Sequence, residues 1–258
     1  MQLVLDVGNT ETVIGAVAGH DDLRGHWRIS TQVPRTGDEL AHLLRGLLRD
    51  DGFAEVRFDR AVLGSVVPSA TDLLRPTLAR VVDGPVLVVD ASSPLPIRLD
   101  VEEPRTVGAD RIVNTLAARK LYGRDTIAVD LGTATTYDCI SAEGVFLGGV
   151  ISPGVSAGLE WLARRTAQLP RVEFLPPEKV IGTRTDACIR SGIYYAVMDG
   201  IDGMVDRIKR EWDRPDALVV ATGGHAATVG RHARSVEKIE PFLTLYGLAI
   251  AGDLLSEG

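Results

Sequence analysis

Cysteine is scarce in this 258-residue chain, which contains only Cys139 and Cys188. The two residues are far apart in the sequence and lack the spacing that is typical of metal ligands. This argues against a disulfide-stapled fold and against a cysteine-bound metal centre. We predict a reduced protein in which both thiols act as small apolar side chains.

Long apolar runs and an excess of positive charge are also absent. No stretch reaches the roughly 20 apolar residues of a membrane helix, and the N-terminal segment lacks the basic region of a secretory signal. The formal net charge is −7, so the chain lacks the positive field that attracts nucleic acid or an anionic membrane. We therefore predict a soluble cytoplasmic protein, with neither nucleic acid nor membrane as a main partner.

The common nucleotide-binding loops are missing as well. The absence of a Gly-Lys dipeptide excludes a Walker A loop. No two glycines are separated by a single residue, which excludes the Rossmann and protein-kinase glycine-rich loops. With only four lysines, a phosphate site would depend on backbone amides, hydroxyl groups, arginine and a metal ion. The five histidines have no metal-ligand or triad spacing, and we interpret them as surface or local structural residues.

The sequence does contain a repeated plan. One apolar strand ends at Asp6-Val7-Gly8 and another at Asp130-Leu131-Gly132, and each is followed by a threonine-containing turn and two further strands. The repeat predicts an α/β fold of two duplicated lobes with a cleft between them. We place the N-terminal lobe at residues 1–115 and the C-terminal lobe at 116–258. Coincidence is the alternative, since Asp-x-Gly is common at strand ends.

Local patterns place strands and helices along this plan. Short apolar or alternating runs indicate strands, and apolar residues at helical spacing indicate helices. The predicted strands are 3–8, 12–18, 27–30, 61–66, 86–90, 126–132, 135–140, 145–147 and 217–221. The first helix is predicted to begin at Thr36 or Gly37. The others cover 69–82, 107–122, 155–168, 186–211 and 245–256, and a proline-rich connection covers 93–104.

Two kinds of segment are suited to binding anions. In an Asp-x-Gly turn, glycine lets the backbone approach closely, N–H and hydroxyl groups donate to phosphate, and the carboxylate can hold a hydrated cation. An ordinary hairpin turn is the alternative for the first copy. The segment Gly108–Arg111 lies at a predicted helix start, where exposed N–H groups favour an anion. Asp110 could be a base and Arg111 could bind a carboxylate, or Asp110 could only complement the helix dipole.

Taken together, the motifs resemble those of the type III pantothenate kinase family. The similarity is in family order along nearly the whole chain: 6–10, 108–111, 130–138 and 148–154, with shorter matches at 65–68, 166–170, 181–185, 191–192, 222–224 and 243–247. The resemblance implies duplicated actin-like (ribonuclease H-like) lobes. It also implies ATP-dependent phosphorylation of pantothenate to 4′-phosphopantothenate, the first step of coenzyme A biosynthesis. A homodimer, ATP, Mg²⁺ and a monovalent cation (K⁺ or NH₄⁺) are implied too.

The resemblance assigns site residues by position. Those expected to bind ATP are Asp6, Val7, Gly8, Asn9, Thr10, Glu11, Thr12, Val13, Thr133, Gly223 and Gly224. Those expected to bind pantothenate are Val101, Gly108, Ala109, Asp110, Arg111 and Thr185, with Asp110 as the catalytic base. Asp130 is expected to bind the monovalent cation, and Asp6 to hold Mg²⁺ through water.

Two positions depart from the family pattern. Val101 stands where members often have a tyrosine that lines the pantothenate pocket, and Tyr246 stands where a glutamate is common. Two other functions stay open: a non-catalytic relative that assists transcription, and a kinase of the same superfold that acts on another sugar or acid. The acidic charge and the intact aspartate set argue against the first. The paired motifs at 108–111 and 148–154 argue against the second.

Overall fold

The computed structural model describes residues 1–165 and 169–257. The chain divides into two compact units. Unit 1 comprises Met1–Gly123, Glu143–Phe146 and Phe242–Gly258, and unit 2 comprises Arg124–Ala142 and Leu147–Pro241. The family-like motif at 166–170 begins with three residues, 166–168, that lie outside the described residues.

The strands and helices follow the predicted plan, but the third strand begins five residues earlier than predicted, the strand at 145 ends six residues later, and a short strand at 238–239 was not predicted. The strands are β1 (Gln2–Val7), β2 (Glu11–Ala18), β3 (Asp22–Ser30), β4 (Arg60–Ser65), β5 (Val86–Val89), β6 (Arg98–Leu99), β7 (Thr126–Leu131), β8 (Ala134–Ile140), β9 (Val145–Pro153), β10 (Leu218–Thr222) and β11 (Lys238–Ile239). The helices are α1 (Gly37–Asp50), α2 (Pro68–Leu78), α3 (Ala109–Tyr122), α4 (Ala157–Arg165), α5 (Thr185–Glu211), α6 (Ala226–Gly230) and α7 (Leu243–Glu257). Within the described ranges, no helix has both the length and the apolar character needed to cross a bilayer.

Unit 1 is built on a five-stranded sheet in the order β3-β2-β1-β4-β5. β1 pairs antiparallel with β2 and parallel with β4, and β4 pairs parallel with β5. One face of this sheet packs its apolar side chains against α1 and α2. The first helix begins where predicted, because Thr36 is its N-cap and forms a capping box with Glu39.

The other face of the unit 1 sheet carries α3 and α7. The two helices are so close that a Cβ on Gly247 of α7 would overlap the Val113 carbonyl of α3. The side chain of Gln2, at the start of β1, donates a 3.1 Å hydrogen bond to the Ala249 carbonyl in α7. These contacts make the C-terminal helix an integral part of unit 1.

Unit 2 repeats the strand order of unit 1. Its strands follow one another as β9-β8-β7-β10-β11, so in both units the order across the sheet is third, second, first, fourth and fifth. β7 pairs antiparallel with β8 and parallel with β10, as β1 does with β2 and β4. The core on one face of this sheet includes α5 and Tyr137, and burial raises the pKa of Tyr137 to about 12. The predicted duplicated α/β architecture is confirmed.

The two units differ from the lobes predicted at 1–115 and 116–258. α3 continues to Tyr122 and ends at Gly123, which has a φ of 58°, so the division falls after this helix and not inside it. α7 packs on β1 and α3, which returns the C-terminal residues to unit 1. The proline-rich connection also contains β6, whose residues pair in parallel with Val145 and Phe146 at the start of β9.

Candidate active site

Asp6 lies at the carboxyl end of β1, near the middle of the unit 1 sheet. It is the fifth of six residues in this strand, and its register partners are Val13 of β2 and Gly64 of β4. The next residue, Val7, is fully buried in the core, whereas Asp6 is half-buried. The sheet therefore fixes the backbone around a carboxylate that stays partly accessible, as a ligand of a hydrated cation must be.

The turn after Asp6 is closed by its own backbone. The Gly8 amide donates a 3.0 Å hydrogen bond to the Glu11 carbonyl. A Cβ on Gly8 would lie only 3.1 Å from the same oxygen, so a larger residue would press on the turn. Asn9 and Thr10 are the exposed residues at its tip. This is a compact hairpin turn whose tip can present polar groups to an anion.

Glu11 and Thr12 have partners within unit 1. An ion pair of 3.1 Å joins Glu11 to Arg28 on β3. Thr12 is 2% exposed, and its hydroxyl lies 2.9 Å from the hydroxyl of Thr31. The Thr12 side chain is therefore buried against Thr31 at the start of β2, and Val13 follows it in the same strand.

Gly108 to Arg111 form the first turn of α3. Gly108 is the N-cap, and Oδ1 of Asp110 accepts a 2.9 Å hydrogen bond from the Arg111 amide. The carboxylate folds back over Gly108, where any Cβ would overlap it. Asp110 thus satisfies one of the helix's own N-terminal amides, and it remains partly exposed. A role as a base would use its second oxygen, Oδ2.

The start of α3 lies beside Asp6. A Cβ on Gly64, which is the β4 register partner of Asp6, would lie 3.6 Å from the Cβ of Ala109. Ala109 is 4% exposed and is buried at this contact. The structure therefore brings two predicted groups together within unit 1: the Asp6 turn and the Gly108–Arg111 segment.

Arg111 is held by an aromatic ring that the sequence analysis did not single out. Its Cζ lies 4.8 Å from the centroid of the Phe146 ring, a cation–π arrangement. Phe146 is 1% exposed, and its carbonyl accepts a 2.9 Å hydrogen bond from the Asp100 amide. Val101, which follows Asp100 in the sequence, is half-buried. The hydrogen bond from Asp100 therefore connects the segment of Val101 to Phe146, the residue whose ring contacts Arg111.

Asp130 in unit 2 occupies the position that Asp6 has in unit 1. It is the fifth of six residues in β7, and its register partners are Thr136 of β8 and Thr222 of β10. Gly223 follows with a φ of 87°, and a Cβ on it would overlap Oδ1 of Asp130 and lie 2.9 Å from the Leu131 amide nitrogen. Only glycine fits there without strain. The Asp130 carboxylate and the predicted Gly-Gly turn are therefore in direct contact.

The turn between β7 and β8 packs against a second glycine. Gly132 and Thr133 are exposed in this turn. A Cβ on buried Gly154 would overlap the Thr133 carbonyl oxygen and lie 2.6 Å from that of Gly132. Gly154 ends the Gly148–Gly154 motif, so this packing gives the motif a physical role: it supports the Thr133 turn.

His225, which we interpreted with the other histidines as a surface or local structural residue, makes contacts near this turn with residues that are distant in the sequence. Its amide donates a 3.2 Å hydrogen bond to the Leu131 carbonyl, and its ring nitrogen Nε2 lies 3.5 Å from the Ser156 hydroxyl. Phe174 packs edge-on against the imidazole, with ring centroids 6.0 Å apart. No spacing in the sequence indicates this meeting, because the three residues come from separate segments.

Thr185 is positioned by its own segment. It is the exposed first residue of α5. The chain before it folds onto the helix: Cys188 donates a 3.3 Å hydrogen bond from its thiol to the Gly182 carbonyl, and the Ser191 hydroxyl donates to the Val180 carbonyl over 2.5 Å. These bonds fix where α5 starts, and with it the place of the Thr185 side chain.

The donor set of the two turns fits lightly held, oxygen-bound cations. Within the described part of the chain, no group of three or more His, Cys, Asp or Glu side chains could hold a metal ion. Each turn instead offers one carboxylate, Asp6 or Asp130, beside backbone and hydroxyl groups. Such a set suits Mg²⁺ held through water or a monovalent cation, and it is unsuited to zinc or another transition metal.

Comparison with known proteins decides the family. A family model described as type III pantothenate kinase matches residues 2–207. The type III pantothenate kinase of Moorella thermoacetica is 42% identical over 252 residues, which cover 97% of this chain and 98% of that protein. The chain belongs to the type III pantothenate kinase family. The resemblance inferred from the sequence motifs is thus confirmed.

Solved structures support the fold of the family. A Campylobacter jejuni protein described as a Baf family transcriptional activator has a TM-score of 0.61 at 16% identity. The match covers 99% of this chain and 100% of the Campylobacter chain. A ROK family glucokinase from Streptomyces griseus, solved with glucose and AMPPNP, has a TM-score of 0.50 at 13% identity. The match covers 100% of this chain and 99% of the glucokinase chain. At these identities the likeness establishes the actin-like, sugar-kinase-like fold and nothing further.

Proposed function

We propose that the protein transfers the γ-phosphoryl group of ATP to the 4′-hydroxyl of pantothenate, giving 4′-phosphopantothenate and ADP. The observation that carries the proposal is the repeated turn. Asp6 and Asp130 occupy the same position in two sheets of the same strand order. Family membership makes pantothenate the acceptor of choice. In-line phosphoryl transfer needs positioning and charge neutralisation, and these turns offer the groups for both.

Unit 1 supplies the acceptor side and one phosphate turn. Asn9, Thr10 and the backbone amides at the tip of the turn donate to phosphate oxygens, and Asp6 would hold Mg²⁺ through water. When bound, Mg²⁺ neutralises charge on the phosphates. Arg111, supported by Phe146, binds the pantothenate carboxylate. Asp110 accepts the 4′-hydroxyl proton as the hydroxyl oxygen bonds to the γ-phosphorus and the bond to the ADP oxygen breaks.

Unit 2 supplies the second phosphate turn. Thr133 donates its hydroxyl to ATP, and the Gly223-Gly224 turn, which has no side chains, lets the adenosine lie against the backbone. Asp130 would hold a monovalent cation, K⁺ or NH₄⁺. Thr185 contacts the substrate from the start of α5.

Val101 stands where other family members often have a tyrosine, and the smaller side chain gives the substrate less contact than a tyrosine would give. Because Val101 is half-buried next to the Asp100–Phe146 hydrogen bond, a smaller side chain here widens the space on the Arg111 side. We therefore propose weaker pantothenate binding than in members with tyrosine. Nothing in the structure explains Tyr246 on α7.

We further propose a cytoplasmic homodimer in which Thr185 lines a composite pocket. α4 has no buried residue, and its Trp161 is 61% exposed. Around the first turns of α5, Val180 is 65% and Ile181 is 83% exposed. Large apolar side chains exposed this far on one unit are typical of a surface that a partner covers.

The test is ADP release with pantothenate as the sole acceptor, compared with glucose and with a small hydroxy acid in its place. We expect ADP and phosphorylated pantothenate, identified by mass, only in the first reaction. Release with another acceptor would indicate a different kinase of the superfold. The absence of release with every acceptor would indicate a non-catalytic relative. Equal rates in Na⁺-only and K⁺ buffers would count against the cation assignment.

A further inference from the structure

Thr222 is a buried polar residue that has no role in the proposed function. It is the last residue of β10 and is 0% exposed. Its hydroxyl oxygen has no hydrogen-bond partner among residues 1–165 and 169–257. Buried hydroxyl groups nearly always have a partner, because leaving one unsatisfied costs stability. The orphaned hydroxyl therefore points to a ligand that the protein chain itself does not supply.

The neighbours of Thr222 show which ligand it could meet. The parallel pairing of β10 with β7 places Thr222 directly in register with Asp130. Register partners on adjacent strands project to the same face of the sheet. The next residue, Gly223, lies against Oδ1 of Asp130. The Thr222 hydroxyl and the Asp130 carboxylate are thus adjacent groups at the end of the same two strands.

Thr126 lies on the same face of β7 as Asp130 and can be compared with Thr222. Thr126 begins β7 and is likewise 0% exposed, but its hydroxyl donates a 2.8 Å hydrogen bond to the Arg124 carbonyl. Thr126, which is as buried as Thr222, therefore satisfies its hydroxyl within its own segment. Thr222 does not, and it is the one of the two that lies beside Asp130.

We propose that the Thr222 hydroxyl is a second side-chain ligand, with the Asp130 carboxylate, of the monovalent cation. The inference rests on the proposed cation role of Asp130. One carboxylate with a neutral hydroxyl oxygen gives a weak negative field, which favours a weakly hydrated monovalent cation over a divalent one. Thr222 then helps to determine cation affinity and selectivity, and the Asp130 carboxylate supplies the charge.

The test uses two substitutions at one position. Thr222→Val keeps the shape and removes the oxygen, and Thr222→Ser keeps the oxygen. Melting temperature is titrated against KCl at constant ionic strength, balanced with choline chloride, with and without ADP. We expect the half-saturating K⁺ concentration to rise at least about tenfold in Thr222→Val, and to stay within about threefold of wild type in Thr222→Ser. Thr126→Val is the matched control, and it should lose stability with an unchanged K⁺ response.

Thr222→Val also has an expected result in choline alone. Removing an unsatisfied buried hydroxyl should leave the melting temperature equal or higher, so a loss of K⁺ response cannot be attributed to unfolding. A K⁺ response in Thr222→Val that matches wild type would overturn the proposal, as would a wild-type protein that does not respond to K⁺. Pantothenate-dependent ADP release by the wild type is measured separately. It can succeed while Thr222→Val responds normally, which would overturn only the ligand role.

Discussion

The guanidinium of Arg111 lies over the ring of Phe146, with Cζ 4.8 Å from the ring centroid. The ring comes from β9 and the cation from α3, so the contact fixes the only side chain that we propose for the pantothenate carboxylate. We expect Phe146→Leu to raise the KM for pantothenate about threefold to tenfold with little change in kcat. A cation–π contact of about 1 kcal/mol supports a change of this size. Steady-state kinetics with pantothenate varied would measure it.

Phe58→Leu is the matched control for that substitution. Phe58 is 3% exposed in the unit 1 core and packs near Phe53, away from Arg111. Both variants should lose about 1 kcal/mol of folding stability, since each trims a buried ring. Only Phe146→Leu should change the KM. Equal KM values for pantothenate in the two variants would show that the Phe146 ring contributes only to packing.

Gly223 is the position where we expect a single methyl group to damage nucleotide binding. In Gly223→Ala, the Cβ would meet Oδ1 of Asp130 at a φ of 87°, so the turn must move. We expect the Kd for ATP to rise at least about tenfold in isothermal titration. Gly19→Ala is the control, since Gly19 has a φ of 64° and no atom lies within 4 Å of the position that a Cβ would occupy. It should cost about 1 kcal/mol of stability and bind ATP normally.

The parts of the fold that depend on neighbouring residues were predictable from the sequence. The strand that contains Asp6 and its copy that contains Asp130 are local patterns, and both were found with ends shifted by at most one residue. The helix start at Thr36 was predictable for the same reason, because its capping box involves residues three apart. Two copies of one local pattern were also enough to predict the duplication.

The parts that depend on long-range contacts were not predictable in this way. α7 joins unit 1 because Gly247 packs on Val113, and nothing near Gly247 in the sequence indicates that. Phe146 was part of a predicted strand, but its place under Arg111 depends on the path of β9. Thr222 was one residue of a weak Gly-Gly signal. Its importance follows from its register with Asp130, which only the sheet order defines.

Asp110 gives the sharpest distinction between catalysis and structure. Its Oδ1 caps the Arg111 amide at 2.9 Å, and Asp110→Asn keeps a carbonyl oxygen that can accept this bond. Asparagine cannot accept the hydroxyl proton, so we expect kcat to fall about 10²–10⁴-fold. Stability should stay within about 1 kcal/mol of wild type. A kcat near the wild-type value, measured on the same preparation as the melting temperature, would remove Asp110 from the role of base.

Asp202 on α5 should make the stability of the protein sensitive to acid. Burial alone would raise the pKa of its carboxyl, but hydrogen bonds from Ser235 and Arg234 outweigh it and hold that pKa below its usual range. Oδ1 accepts from the Ser235 amide and hydroxyl, both at 2.8 Å. A carboxyl with a lowered pKa stabilises the fold above its unfolded-state pKa of about 4, and this stabilisation is lost as pH falls through the folded-state value.

Asp202→Asn should therefore lower stability at pH 7 by about 2 kcal/mol, and the gap to wild type should narrow by pH 3. Urea unfolding at the two pH values would measure it. Asp206→Asn is the control, because Asp206 is exposed on the same helix and should have little effect at either pH. A gap for Asp202→Asn that is constant with pH would mean that the carboxylate charge does not contribute.

The proposed dimer can be tested through the exposed apolar side chains of unit 2. We expect light scattering of the wild type to give twice the chain mass of 27.7 kDa. Trp161→Arg should shift the protein to the monomer mass, because an arginine at a residue now 61% exposed would be buried without a partner in the dimer. Val33→Arg is the control, since Val33 is 50% exposed but lies in unit 1 and should leave the dimer intact.

Activity measured on the same variants would then test whether the pocket is composite. If Thr185 contributes to the pocket only in the dimer, the Trp161→Arg monomer should lose most of its pantothenate-dependent ADP release, although position 161 contacts no substrate. ATP binding to the monomer should change little, because the residues proposed to bind it belong to one chain. A fully active Trp161→Arg monomer would remove the dimer from the mechanism. A dimer that persists in Trp161→Arg would instead place the interface away from α4.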